Sequence, residues 1–235
     1  MDVRAHLRQH GYATAHAVVL PDDVQQVISL VEPLLAGDQG RKPGVRRVLQ
    51  RELRLGELLR RTGVAALARQ VCGEGVGIVR AIVFDKSPTA NWLVPWHQDA
   101  VIAVKQRHDV SGFSPWSVKD GEPHCRPPRS VIDEVAVLRV HLDPCGPEQG
   151  PLRVIAGSHI HGALVDHELR AAVEMGTAVD CVADAGDVVL MRPLTIHASS
   201  RATRPAARRR VLHLECCAVQ LPTPLEWGEW TPLGD

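Results

Sequence analysis

Read by pattern alone, the sequence predicts a mainly β protein, a β-sandwich or jelly roll carrying helices on one outer face. Three observations predict it. The first third of the chain reads helical, with apolar residues at helical spacing. Short β-rich runs divided by Pro, Gly and Asp turns fill the remainder, and no internal repeat or low-complexity segment interrupts them. A block of helices followed by many short strands is expected to segregate as a layer against one sheet.

In chain order, residues 1–10 read as a short helix ended by Gly11, and residues 13–20 as a strand. Pro21-Asp22 reads as a helix start with Asp22 placed to cap. Val24, Val27, Ile28, Val31, Leu34 and Leu35 then fall at helical spacing. Residues 37–44 read as a loop, and 54–61 and 64–71 as two short amphipathic helices divided by Thr62-Gly63. From Gly77 the texture changes to β-rich runs at 78–84, 135–142, 152–155, 178–182, 188–191 and 209–219. Turns such as DPCGPEQGP and ADAGD separate them. One domain over 1–235 is expected, with 1–75 mostly helical support and 76–220 the β core. Residues 106–130 hold Gly112, Pro115, Gly121, Pro123, Pro127 and Pro128 and read as strandless. Long loops inside a compact domain are usually functional, so this segment is expected to be a lid that orders when ligands bind.

Composition narrows the function. Of 235 residues, 27 are Lys or Arg and 27 Asp or Glu, so no global field recruits nucleic acid or an anionic membrane. Aromatics at 3% argue against a stacking platform for single-stranded nucleic acid. The N-terminus lacks the basic start and apolar run of a signal peptide, and no apolar run is long enough to span a membrane. None of the 6 cysteines forms a C-x-x-C pair; they read as thiols of a reducing, cytoplasmic setting.

The chemistry-bearing motif is PWHQD, residues 95–99. At a strand end, side chains two residues apart share a face, so His97 and Asp99 can point at one ion. His197, in RPLTIHASS beyond the run at 188–191, is the expected third ligand. Two imidazoles and one carboxylate leave positions open for a co-substrate and dioxygen, the arrangement of non-haem iron(II) oxygenases. An H-x-D pair alone is commonplace, but further along lies RPAARRRVLHLEC. A 2-oxoglutarate enzyme needs a guanidinium to grip the far carboxylate of its co-substrate. Strand parity puts Arg209, Val211, His213 and Glu215 on one face and Arg210, Leu212 and Leu214 on the other. The apolar face should lie under the helices, which favours Arg209 for the pocket, with Arg208 as the alternative.

In FDKSPTANWLVPWHQD (84–99), GFSPWSVKDGEPH (112–124), LRVHLDPCGPEQGPLRVIAGSHIHG (138–162), AGDVVLMRPLTIHASS (185–200) and RRVLHLE (209–215), the chain resembles the phytanoyl-CoA dioxygenase family of 2-oxoglutarate oxygenases. The resemblance implies a double-stranded β-helix core, cupin-like, beneath an N-terminal helical layer. It implies Fe(II) held by His97, Asp99 and His197, with 2-oxoglutarate and O2 as co-substrates and Arg209 as the carboxylate partner. Gln98, Trp116, Ser199 and Ile82 match positions expected at the co-substrate. Gln149 and Ala156 depart from the family pattern inside a turn, and an apparent one-residue insertion in RATRPAA keeps Arg208 in play.

Other histidines receive plainer readings. His159, in the H-x-H of GSHIHG, is expected to be structural, and His141 a packed strand residue. His213, Arg139, Lys119 and His124 are candidate substrate contacts. Asp85 and Lys86 read as turn residues. The expected activity is oxidation, by hydroxylation, of a C–H bond of a small molecule with release of succinate and CO2. No nucleic acid or membrane partner is expected, and no motif encodes the substrate or the oligomeric state. Asp99 argues against a halogenase, in which the carboxylate ligand gives way to halide. The alternative is a jelly-roll metal protein without 2-oxoglutarate turnover, isomerase-like or catalytically silent.

Overall fold

The computed structural model describes residues 2–38, 44–87, 90–204 and 208–234. In order, the elements are α1 (Val3–His10), β1 (Tyr12–Ala15), α2 (Pro21–Asp38), β2 (Gly44–Arg46), α3 (Val48–Arg51), α4 (Leu53–Arg61), α5 (Gly63–Cys72), β3 (Gly77–Lys86), β4 (Val94–His97) and β5 (Ile102–Ala103). There follow β6 (Trp116–Lys119), β7 (Glu122–Cys125), α6 (Arg129–Ile132), β8 (Ala136–His141), β9 (Leu152–Ile155), α7 (Asp166–Met175), β10 (Ala178–Cys181), β11 (Val188–Met191), β12 (His197–Ser199), β13 (Arg209–Cys217) and β14 (Thr231–Pro232).

The helix ends follow local chemistry. Asp2 accepts the Arg4 and Ala5 amides at the start of α1, and Gly11 ends it at φ 76° with its N–H on the Leu7 carbonyl. Helix α2 begins at Pro21, whose missing N–H costs nothing in the first turn. Asp22 therefore sits inside that turn, facing the positive helix end, and is not the cap expected of it. The strand expected over 13–20 stops at Ala15. Beyond it Ala17 takes a left-handed φ of 51°, and its amide is claimed by the Asp187 carboxylate at 2.9 Å. Helix α2 also runs two residues into the loop expected at 37–44, most of which lies outside the described residues.

Two antiparallel sheets face each other. The larger runs β1-β11-β8-β13-β3-β14, with β2 also paired to β3; the smaller runs β10-β9-β12-β4. Parity divides each large-sheet strand. Leu138, Val140, Leu212, Leu214 and Cys216 join Leu7, Val27, Leu55, Leu59 and other helix residues in the main apolar cluster. Between the sheets, Val137, Val189 and Met191 meet Leu152, Val154 and Cys181 in a second cluster. This is a jelly roll with helices on the outer face of its larger sheet. Among the described residues no helix is long and apolar enough to cross a membrane.

Two expectations need correcting. Residues 106–130 are not strandless: β6 and β7 form a hairpin, and β5 joins β7 as a third strand. Lys119 pairs with Glu122 around Asp120 and Gly121, both at positive φ (52° and 78°). Asp-Gly is the signal of a two-residue hairpin turn, and it outweighs the neighbouring prolines. Helix α7 was not expected: Leu169, Ala172 and Val173 do stand at helical spacing, but the stripe is short and none of the helix's residues is fully buried. Its start is held by the Glu168 carboxylate, which accepts the Val165 amide at 3.1 Å.

Candidate active site

Strands β4 and β12 are neighbours in the smaller sheet, and His97 lies directly opposite His197. That register brings the two rings to 4.1 Å, centroid to centroid, tilted at 51° to each other. Asp99 follows on the loop after β4, where its amide is held by the Pro193 carbonyl at 2.9 Å. Its carboxylate stands 3.8 Å from His97 Nε2 and 3.5 Å from His197 Nε2. The His97 Nδ1–H donates to the Pro95 carbonyl (2.8 Å), and that of His197 to the Thr195 carbonyl (2.9 Å). Each ring is thereby fixed in the tautomer that leaves Nε2 bare toward Asp99. The three ligand atoms lie within 4.8 Å of one another, so the donor set fits a single divalent ion. Burial pushes the Asp99 carboxyl up, but His197, His97 and Arg80 outweigh it and hold it at about 2. Burial holds the His197 imidazole down at about 4.

Beyond the triad, the inner face of β13 carries Arg209. Its guanidinium is buried, donates to the Gly150 carbonyl, and leaves Nε without a partner among the described residues. Gly150 is at φ 63°, and a Cβ there would meet the Ser200 carbonyl oxygen at 2.3 Å, so only glycine brings this carbonyl so close. Lys86, opposite Arg209 on β3, is also buried and donates to Ser199 Oγ (3.0 Å) and the Ser200 carbonyl (2.6 Å). It is not the turn residue expected from sequence. Burial, then the Arg209 charge, press its pKa down to about 7.

The flanking arginines turn the other way. Arg208 makes a two-pronged contact with Asp85 (2.8 and 2.7 Å) and reaches Glu32. Arg210 does the same with Asp143 (2.8 and 2.6 Å) and shares Glu32. Of the three, Arg209 alone faces the inside, and no carboxylate pairs with it among the described residues.

A cavity of about 260 Å³ joins these groups. Ile82, Ser199, Arg139, His213 and Lys119 line it alongside the triad and Arg209. A separate hollow of about 310 Å³, beside Arg129, His159 and Arg192, contains none of the triad. His159 Nε2–H donates to the Arg8 carbonyl (3.1 Å), tying α1 to the β core.

Three expected residues are not brought to the cavity. Gln98 alternates away from His97 and Asp99. Its amide nitrogen donates to the Gly162 and Leu194 carbonyls (2.8 and 2.6 Å), and its oxygen accepts the Leu164 amide (2.8 Å). Trp116 lies on the hairpin face opposite Lys119, in an apolar cluster and under the Arg107 guanidinium. His124 is fully buried, with Nδ1 donating to the Glu122 carbonyl (2.9 Å).

Sequence reasoning overlooked Arg80, Arg46, Trp92 and Lys86. The first three line the cavity. Arg80 and Lys86 share the parity of Ile82, so the signal was a charge inside an apolar strand. Nothing local marks Arg46 or Trp92. Below the cavity, Arg80 donates to Glu215 (2.9 Å), His213 Nε2 lies 3.6 Å from the same carboxylate, and Arg139 donates to His213 Nδ1 (3.0 Å).

A jelly roll with a two-histidine, one-carboxylate triad opening on a cavity defines a mononuclear non-haem metal enzyme. The profile of the phytanoyl-CoA dioxygenase (PhyH) family matches residues 7–211, and the chain belongs to that family of oxidoreductases. The fold is shared with EctD from S. alaskensis, solved with 2-oxoglutarate and 5-hydroxyectoine: TM-score 0.70, 20% identity, over 94% of this chain and 77% of that one. It is shared with AviO1 from Streptomyces viridochromogenes Tue57 (TM-score 0.67, 22% identity, 94% and 95% of the two chains). It is also shared with SnoK, a non-haem α-ketoglutarate-dependent carbocyclase from nogalamycin biosynthesis (TM-score 0.70, 15% identity, 92% and 82%). No curated protein matches the sequence.

Proposed function

We propose that the protein is an Fe(II)- and 2-oxoglutarate-dependent dioxygenase that hydroxylates a C–H bond of a small molecule, releasing succinate and CO2. One observation carries the reading: a bare-Nε2 histidine pair and Asp99 share a cavity with a buried guanidinium, Arg209, that has no carboxylate partner among the described residues. His97, Asp99 and His197 would hold iron, and Arg209 would take the distal carboxylate of 2-oxoglutarate in place of an acidic side chain. Iron bound there would supply the coupling of 2-oxoglutarate decarboxylation by dioxygen to substrate oxidation. Ser199 and Ile82 would wall the co-substrate, and His213 and Arg139 would form the cavity floor. The β6–β7 hairpin would serve as the lid, with Lys119 at the mouth.

SnoK is named a carbocyclase, whereas EctD was solved with 5-hydroxyectoine, so the outcome of oxidation is read from product, not fold. A metabolite screen for substrate-stimulated succinate release under iron and ascorbate tests the activity. Mass spectrometry of the hit distinguishes a hydroxylated product from a desaturated or cyclised one. Iron binding without any 2-oxoglutarate-dependent absorbance would return the protein to a jelly-roll metal protein of another activity.

A further inference from the structure

The cavity is far more cationic than the proposed co-substrate requires. Arg46, Arg80, Lys119, Arg139 and Arg209 line it against one carboxylate, Asp99. These cations fall into two groups set by strand register. Arg209 pairs across β13 and β3 with Lys86, and Arg80 pairs with Glu215 six residues further along β3. At about 3.3 Å per residue that separates the two ends by roughly 20 Å. Ile82, Phe84 and His213 occupy the floor between them, with the triad above.

One end suits 2-oxoglutarate. At the other end, Arg80 comes from β3, Lys119 from the hairpin and Arg46 from β2. Glu215 balances Arg80 at 2.9 Å, and Asp120 balances Arg46 at 2.9 Å from an exposed position. The Lys119 ammonium makes no hydrogen bond or ion pair among the described residues. The Arg80 Nε and Arg46 Nη1 atoms are buried without partners among the described residues. A lysine set among two arginines and no acid of its own is disfavoured by like charge, and a bound oxyanion relieves that repulsion. The Lys119 ammonium feels this directly: burial and then Arg80 lower its pKa.

Resting on the oxygenase reading above, we infer that the small-molecule substrate carries an oxyanion, carboxylate or phosphate, held by Lys119 with Arg46 and Arg80 at the end of the cavity opposite Arg209. The anion would anchor the substrate so that the C–H bond to be oxidised lies between this cluster and the triad. Selectivity would then rest on the span between the anionic group and the reacting carbon.

The experiment uses anaerobic iron-loaded protein saturated with 2-oxoglutarate, which occupies the Arg209 end. Acetate, inorganic phosphate and neutral acetamide are titrated separately while thermal stability is followed. Acetate or phosphate should stabilise saturably and acetamide should not; the anion with the lower half-saturation names the group. Half-saturation should weaken about tenfold or more in Lys119→Glu and several-fold in Arg46→Gln, with the 2-oxoglutarate absorbance titration unchanged. Equal stabilisation by acetate and acetamide would overturn the inference, as would anion binding unaltered in both variants. If no 2-oxoglutarate absorbance forms while anion binding still depends on Lys119, the oxygenase reading falls and the anion site stands.

Discussion

On one face of β13, Leu212, Leu214 and Cys216 are sealed under the helices, while on the other Arg209, His213 and Glu215 are almost equally buried around a cavity. Burial alone therefore does not separate support from function in this strand. The difference is in what each buried group has as a partner. The outer face is apolar and satisfied by contact. The inner face holds a guanidinium with an orphan Nε and a carboxylate–imidazole–guanidinium network beside bare ligand atoms. Polar groups buried at that cost mark where a ligand is expected to complete the structure.

The largest expected effect is on the triad. His197→Ala or Asp99→Ala should weaken iron binding by more than the roughly 10–100-fold typical of supporting residues, and should abolish succinate release. Anaerobic iron titration checks this, and full retention of iron in both variants would remove the metal centre from this site.

The two faces of β13 should respond in opposite ways. Leu214→Ala should cost about 2–5 kcal/mol of stability while folded molecules bind 2-oxoglutarate normally. Arg209→Met should leave stability unchanged or higher, because a buried unpaired charge is removed, yet weaken 2-oxoglutarate binding by about 2–5 kcal/mol. Denaturant unfolding beside 2-oxoglutarate titration reads both. Loss of stability without loss of binding in Arg209→Met would make the two faces alike.

A smaller effect is expected at Glu229, buried beside β3 with Oε1 accepting the Ala81 amide at 3.3 Å and Oε2 unpartnered among the described residues. Burial raises its pKa from 4.5 to about 7. A raised carboxyl contributes stability that is full below about pH 4.5 and is lost as pH rises through 7, on the order of 3 kcal/mol. Glu229→Gln should thus flatten the decline in melting temperature between pH 5 and 8. A decline as steep as that of the parent would assign it to other groups. The smallest effect belongs to Arg208→Ala. Its ion pairs are part-exposed, so a loss of about 1 kcal/mol or less is expected, with 2-oxoglutarate binding intact. A binding defect there, with normal Arg209→Met, would move the carboxylate partner to the outer face.

Much of this was legible along the chain. Period-two alternation assigns both faces of β13 from the sequence, because the side-chain period of a strand is a local property. The H-x-D pair and the distal histidine were readable for the same reason, as residue types that chemistry restricts. Local rules also misled where a stronger local signal was overlooked: the Asp120-Gly121 turn makes a hairpin despite the prolines around it. That hairpin then decides Trp116 against Lys119, since neighbouring parities cannot both face the cavity.

By itself the sequence determined the strand faces, the triad's residue types and the preference for Arg209 over Arg208. Only the tertiary structure decided that His97 stands opposite His197, that Asp85, Asp143 and Glu32 occupy the two neighbouring arginines, and that Arg46, Arg80 and Lys119 converge. Which charges find partners depends on register and on segments far apart in the chain. No periodicity within one segment carries that information, because pairing between strands is set by the packing of the whole.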